Sequence, residues 1–323
     1  MKVLVSGGMG IVGRYIVEEL LSKGYKVIIG GRQKPLPGTF SQDVPFTPLS
    51  LDPDAAAPDA FDDAYFFVHA GFAHKPGYYR GGEGDDPGEF QRLNLEGSVR
   101  LFEAAKRSGI RRCVFLSSRA AYGDEHAPGT LLTETTTATR QSLYGEIKAK
   151  AEGALADLAA PGFATASLRS TGVYGELTPV KWDGLVRDYL TGHPVAARAG
   201  TEVHGRDLAR AVRLMLETEA GRISGQIFNV SDIAVDTRDI LSIVRTQVYS
   251  PHLLPPPSDK SALCSMDTKR LQSLGWSPGG WPALERTLHQ VYGETAGMGS
   301  SIRPAIMQAP TMSASLPLLR QAI

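Results

Sequence analysis

Val3-Leu4-Val5-Ser6-Gly7-Gly8-Met9-Gly10-Ile11-Val12-Gly13, at the start of a chain of 323 residues, reads as a strand, a glycine turn and the opening of a helix. Val3 to Val5 is the short apolar run of a buried parallel strand. Ile11, Val12, Tyr15, Ile16, Leu20 and Leu21 then recur at helical spacing, and Gly24 closes the helix. A strand feeding such a turn gathers free backbone N–H groups and the positive end of a helix at one point, where a pyrophosphate binds. Only glycines let the backbone come that close. The pattern predicts an α/β dinucleotide fold of Rossmann type, a doubly wound parallel sheet, with Gly7, Gly10, Ile11 and Gly13 at the cofactor.

Following the chain, Lys26 to Ile29 is a second strand ending in Gly30-Gly31-Arg32. That strand end faces the adenosine ribose, where NAD-binding folds place a carboxylate. None stands here. Gly31 leaves room and Arg32 offers a forked cation suited to the 2′-phosphate of NADP, so the cofactor is NAD or NADP, with NADP favoured. A strand from Phe46 leads to Asp52-Pro53-Asp54, with Asp52 as the candidate adenine contact and Asp54 as a turn cap. Ala64 to Val68 is a buried strand ending at His69-Ala70-Gly71; Ala70 and Gly71 let the chain pass close to the cofactor, and His69 reads as a satisfied structural histidine. The glycine-rich stretch from Phe72 to Phe90 suits either a lid or a surface loop. Asn94 to Ser108 is a helix, followed by the strand Cys113 to Leu116 and its Ser117-Ser118 end, with Cys113 a small buried hydrophobe.

Composition narrows the partners. Lys plus Arg equals Asp plus Glu at 34 each, which gives no basic field for nucleic acid or an anionic membrane. The N-terminus lacks a signal-peptide core and no apolar stretch approaches a membrane span, so the expected compartment is the cytoplasm. Two cysteines make no disulfide framework, and no Cys/His spacing resembles a metal site. The partner is a small-molecule substrate.

The second informative stretch is Tyr144-Gly145-Glu146-Ile147-Lys148, which opens a helix running toward Leu158. Residues four apart share a helix face, so Tyr144 and Lys148 point the same way. Tyrosine is a poor base at its ordinary pKa of about 10. A neighbouring ammonium and an oxidised nicotinamide favour the phenolate, and a drop of about 3 units corresponds to roughly 4 kcal/mol. Tyr144 then takes the proton of a substrate hydroxyl as its hydride leaves, Lys148 supports the phenolate and the nicotinamide ribose, and Ser118 orients the substrate oxygen.

Together these residues make the chain resemble the extended short-chain dehydrogenase/reductases of the NAD-dependent epimerase/dehydratase family. The glycine spacing matches at Gly7, Gly10 and Gly13, the Tyr-x-x-x-Lys pair at Tyr144 and Lys148, and the Ser-Ser strand end with its later Tyr-Gly at Ser117-Ser118 and Tyr122-Gly123. Likeness continues through Asn94, Leu168 to Gly175, Val203 to Ala209, Phe228-Asn229-Val230 and Leu274-Gly275-Trp276, covering residues 1–292 and leaving 293–323 as a tail of unknown role. The resemblance implies one Rossmann-type domain with a small C-terminal substrate lobe built mostly from residues beyond 170. It adds Asn94, Ser117, Thr171 and Val173 to the cofactor site, and suggests a homodimer through a helix pair that includes 144–158. Two departures bear on substrate. Gly172 stands where nucleotide-sugar members usually carry a substrate-holding asparagine, and Gly200-Thr201-Glu202 replace a diphosphate-gripping arginine, with Lys181 or Arg187 as possible substitutes. The expected activity is hydride transfer on a hydroxyl or ketone of a sugar or nucleotide sugar. The alternatives are an NADP-dependent reductase of a non-nucleotide carbonyl or alcohol, and a non-catalytic NADP-sensing regulator.

Overall fold

The computed structural model describes residues 1–55, 59–74 and 82–293. Its strands in chain order are β1 (Lys2–Ser6), β2 (Lys26–Gly31), β3 (Phe46–Pro48), β4 (Phe66–His69), β5 (Arg112–Ser118), β6 (Ala164–Ser170), β7 (Gly172–Tyr174), β8 (Ala199–His204), β9 (Gln226–Val230) and β10 (Ile233–Asp236). The helices are α1 (Ile11–Ser22), α2 (Pro87–Gln91), α3 (Gly97–Arg107), α4 (Leu143–Asp157), α5 (Asp183–Leu190), α6 (Gly205–Glu217), α7 (Ala220–Ile223), α8 (Thr237–Gln247), α9 (Lys269–Gln272) and α10 (Gly280–Gly293).

Seven strands form one sheet in the order β3-β2-β1-β4-β5-β6-β9, every pair parallel. The chain winds outward from β1 to β3, then crosses back to β4 and winds the other way. That reversal opens a crevice at the carboxyl ends of β1 and β4, the place where ligands bind in such sheets. Alternation along β1 explains why both faces are covered. Val3 and Val5 pack with Ile16 and Leu20 of α1 and Val212 and Met215 of α6, whereas Leu4 joins Phe67, Phe102, Phe115 and Leu155 beneath α3 and α4. Cys113 is fully buried in the second of these layers, as its sequence context predicts.

A smaller sheet, β10-β8-β7, pairs β8 parallel to β7 and antiparallel to β10. With α5, α8 and α10 it encloses its own core around Tyr174, Trp182, Val186, Leu241 and Leu288. The capping box of Asp236 and Asp239 starts α8 at Thr237.

Element boundaries shift in places. The strand read over 64–68 is Phe66–His69, and the strand read from Phe46 ends at Pro48. The helix read from Asn94 begins instead as a π turn, Arg92–Glu96, before α3. The cause is local: Asn94 is turned inward to bond a neighbouring loop, and Gly97 sits against the Leu51 carbonyl, where a Cβ would overlap. Residues 75–81 of the glycine-rich stretch, and the tail from 294, lie outside the described residues. Among the described residues no helix is long and apolar enough to cross a membrane, and no cluster of His, Cys, Asp or Glu can hold a metal ion.

Candidate active site

At the end of β1 the backbone turns on Gly7, whose φ of +69° suits glycine and whose N–H donates to Gly30 O at 3.1 Å. A Cβ on Gly7 would lie 2.6 Å from Gly71 N, so β1 and β4 meet backbone to backbone. Gly13 has no room either, because a Cβ there would overlap the Gly7 carbonyl oxygen. Gly10 donates to Gly7 O at 2.9 Å and precedes α1 with extended backbone and no side-chain cap; the first turn carries no carboxylate. The leading N–H groups of α1, with Ile11 first, are thus left for an anion. Such a turn fits the pyrophosphate of a dinucleotide.

Beside it runs a hydrogen-bonded chain whose protons can be assigned. Ser98 Oγ donates to Asn94 O at 2.6 Å and therefore accepts from His69 Nε2 at 3.0 Å; His69 Nδ1 then accepts from Ser6 Oγ at 2.6 Å, which itself accepts from Gly71 N at 3.2 Å. Burial first, and the nearby Lys148 charge second, push the His69 pKa down to about 3. His69 is a neutral structural group, as its sequence position suggests. Asn94 holds Ala73 from both sides, accepting from its N–H at 2.6 Å and donating to its carbonyl at 2.8 Å. That grip sets the neighbouring Phe72.

The adenine-side candidates are less gathered. Asp52 accepts from Asp54 N at 3.0 Å and from Arg92 Nη1 at 2.9 Å, and these contacts hold its carboxyl below the usual range. Asp52 thus caps its own turn, the Asp54 carboxylate pairs with Arg92, and the turn that the sequence gives Asp54 to cap runs into residues 56–58, outside the described residues. Arg32 is exposed at the end of β2, next to open space over Gly31. Thr171 and Val173 lie where β6 passes into β7; the Thr171 hydroxyl is buried with no hydrogen-bond partner among the described residues.

The catalytic candidates converge from two elements. Ser118 ends β5 and caps the short turn Arg119–Tyr122, its Oγ accepting from Ala120 N at 3.2 Å. Ser142 caps α4, and Gly145 lets the helix start press on the Ala120 carbonyl, where a Cβ would overlap. The first turn of α4 is thereby seated on the turn after Ser118. Tyr144 meets Phe72 edge to face at 5.1 Å. Lys148 is 4 % exposed; its Nζ donates to Leu116 O at 2.7 Å and lies 4.4 Å from the Phe72 ring centre, 4.6 Å from Phe115 and 5.8 Å from Tyr144. Burial pushes its pKa down to about 7, opposed by the Glu152 charge. Ser117 is turned toward Glu152.

Phe72 escaped sequence reading, since an aromatic in a glycine-rich loop carries no periodic signal. Gly172 faces an ion pair: a Cβ there would lie 2.5 Å from Lys181 Nζ and 2.6 Å from both Glu202 carboxylate oxygens, and Lys181 is bound to Glu202.

A model of the NAD dependent epimerase/dehydratase family matches residues 3–231. The chain belongs to this family. Its members similar to the chain include UDP-glucose 4-epimerase of Corynebacterium glutamicum, 26 % identical over 314 residues, which cover 86 % of this chain and 91 % of that protein. The bovine UDP-glucose 4-epimerase is 32 % identical over 138 residues, 38 % of this chain and 39 % of that one. Among solved structures, MoeE5 in complex with UDP-glucose and NAD superposes with a TM-score of 0.73 at 25 % identity, covering 91 % of this chain and 98 % of that one. Thermus thermophilus UDP-glucose 4-epimerase in complex with NAD gives 0.71 at 25 %, covering 90 % and 99 %. The epimerase/dehydratase assignment makes the protein an enzyme of the NAD-dependent short-chain type.

Proposed function

We propose that the chain is a nucleotide-sugar epimerase with Tyr144, Lys148 and Ser118 as its catalytic set. The observation that carries this reading is the seating of α4 on the turn after Ser118, with the buried Lys148 ammonium beside the Tyr144 ring. A bound nicotinamide dinucleotide supplies the hydride acceptor and, for the return step, the hydride donor. Tyr144 takes the proton of a sugar hydroxyl, and Lys148 favours the phenolate that does so. Ser118 holds the same oxygen in line. Gly7, Gly10, Ile11 and Gly13 would seat the pyrophosphate, with Ala70, Gly71, Asn94, Ser117, Thr171 and Val173 lining the nicotinamide half. UDP-glucose, carried by the MoeE5 structure and named in the relatives, is the first substrate to try.

The test starts with purified protein, denatured, and the nucleotide it releases. Near-stoichiometric NAD, with conversion of UDP-glucose to its 4-epimer, is expected. Absence of bound nucleotide together with faster turnover of free NADPH on a carbonyl substrate would refute the epimerase reading.

Arg32 favours a second reading, an NADP-dependent reductase, because it is exposed at the strand end where a ribose-binding carboxylate would otherwise stand. A charge-assisted hydrogen bond is worth about 1.5–3 kcal/mol. Arg32→Ala should then weaken NADPH binding by about 10-fold or more and leave NADH within about twofold, as read by fluorescence titration. Equal effects on both cofactors would leave Arg32 with no role at the 2′-phosphate.

A further inference from the structure

Tyr144, Lys148 and Glu152 follow one another at intervals of four along α4 and so share one face of it. Two of them are tied to consecutive residues of β5: Lys148 donates to Leu116 O at 2.7 Å, and Glu152 accepts from Ser117 Oγ. The next residue is Ser118. The helix that carries the base is therefore registered on the strand that carries the substrate-orienting hydroxyl, immediately before that hydroxyl.

Glu152 is deeply buried, its side chain 3 % exposed. Arg169 of β6 neutralises it through Nε at 3.0 and 3.2 Å and Nη2 at 2.6 Å. The guanidinium in turn lies 4.3 Å from the ring centre of Tyr122, whose hydroxyl donates to Asn229 at 2.7 Å. A pair made only to hold α4 on β6 would not need to bond Ser117 of β5 as well or to sit one helical turn beyond Lys148. Around the Lys148 ammonium stand neutral His69 from β4, the rings of Phe72 and Phe115, and Tyr144 and Glu152 on its own helix. Glu152 is the carboxylate that favours its charged form. Arg169 is bonded to that same carboxylate.

We infer that Glu152, seated between Ser117 and Arg169, is a positioning residue that keeps Lys148 charged and fixes α4 on β5 so that Tyr144 faces Ser118. The inference rests on the catalytic reading of Tyr144 and Lys148. Removing the carboxylate charge takes away the negative charge one helical turn from a buried ammonium and leaves the Arg169 cation unpaired, so protonation of Lys148 becomes harder and its midpoint falls. At eight residues, about 12 Å along the helix, Tyr144 feels the change chiefly through Lys148.

The experiment follows the Lys148 side chain directly in protein labelled with carbon-13 at the lysine ε position, the signal being assigned by its loss in Lys148→Arg. In Glu152→Gln the midpoint is expected to drop by about one pH unit, the size typical of losing one close opposite charge. The kcat at pH 7 with UDP-glucose should fall about tenfold, with KM within about twofold. Ser117→Ala, which keeps both charges, should leave the midpoint in place while lowering kcat. Should Glu152→Gln fail to fold, Glu152→Gln/Arg169→Gln removes both buried charges together and should show a smaller drop, about half a unit, because the Arg169 cation that opposes protonation of Lys148 goes with the carboxylate. A midpoint within about 0.2 units of the parent's in whichever of these two charge variants folds overturns the inference. Wild-type turnover in Tyr144→Phe would instead sink the catalytic reading, and the lysine titration would still report on Glu152 independently.

Discussion

Tyr144→Phe is expected to lower kcat by about a thousandfold while leaving bound NAD at its parental stoichiometry. A positioned acid–base group contributes about 10²–10⁴ in rate, and the change removes only the hydroxyl that exchanges the proton. The phenylalanine ring keeps the edge-to-face contact with Phe72, so the helix start and the cation beside it stay in place. Turnover of UDP-glucose by the variant, measured beside its released nucleotide, separates chemistry from binding. A rate within about threefold of the parent's would remove Tyr144 from the proton path.

The second large effect is expected at Gly13. A Cβ there would overlap the Gly7 carbonyl oxygen and lie 2.7 Å from Gly8 Cα, and both neighbours are backbone that cannot rotate away. Gly13→Ala must therefore push α1 off β1, at a cost of about 1–3 kcal/mol for overpacking, and spoil the aim of its leading N–H groups. NAD retained through purification should fall below about a tenth of the parental amount, with a lower thermal midpoint. Retention of parental NAD with an unchanged midpoint would mean that the helix tolerates the shift and that close approach at Gly13 is not what binds the cofactor.

Much of this was readable from sequence because the signals are local. Val3, Leu4 and Val5 alternate between two apolar layers, and the Tyr144–Lys148 spacing fixes a shared helix face without any knowledge of the rest of the chain. Gly7, Gly10 and Gly13 likewise act within one turn. What stayed hidden depends on contacts between distant segments. Phe72 reaches Tyr144 only because Asn94, in a π turn that propensity does not foretell, grips Ala73. Glu152 looks like an ordinary helix-surface charge until Arg169 is brought beside it by the pairing of β5 with β6. The small sheet joins β7 to β8 across a long excursion, so the register Gly172 opposite Glu202 has no local signature.

That register also couples Gly172 to two charged side chains. Lys181 and Glu202 occupy the room that a side chain at Gly172 would fill, and Glu202 is buried and paired in β8. An asparagine at position 172 would therefore displace the ends of both side chains, and the exposed Lys181 can swing into water to make room. Losing Lys181 first would strand the buried Glu202 carboxylate, whereas losing Glu202 first leaves an exposed ammonium that water solvates. The three positions are therefore coupled by epistasis with a direction: room at position 172 opens with least cost once Glu202 has gone, and loss of Lys181 alone is the step the buried carboxylate resists.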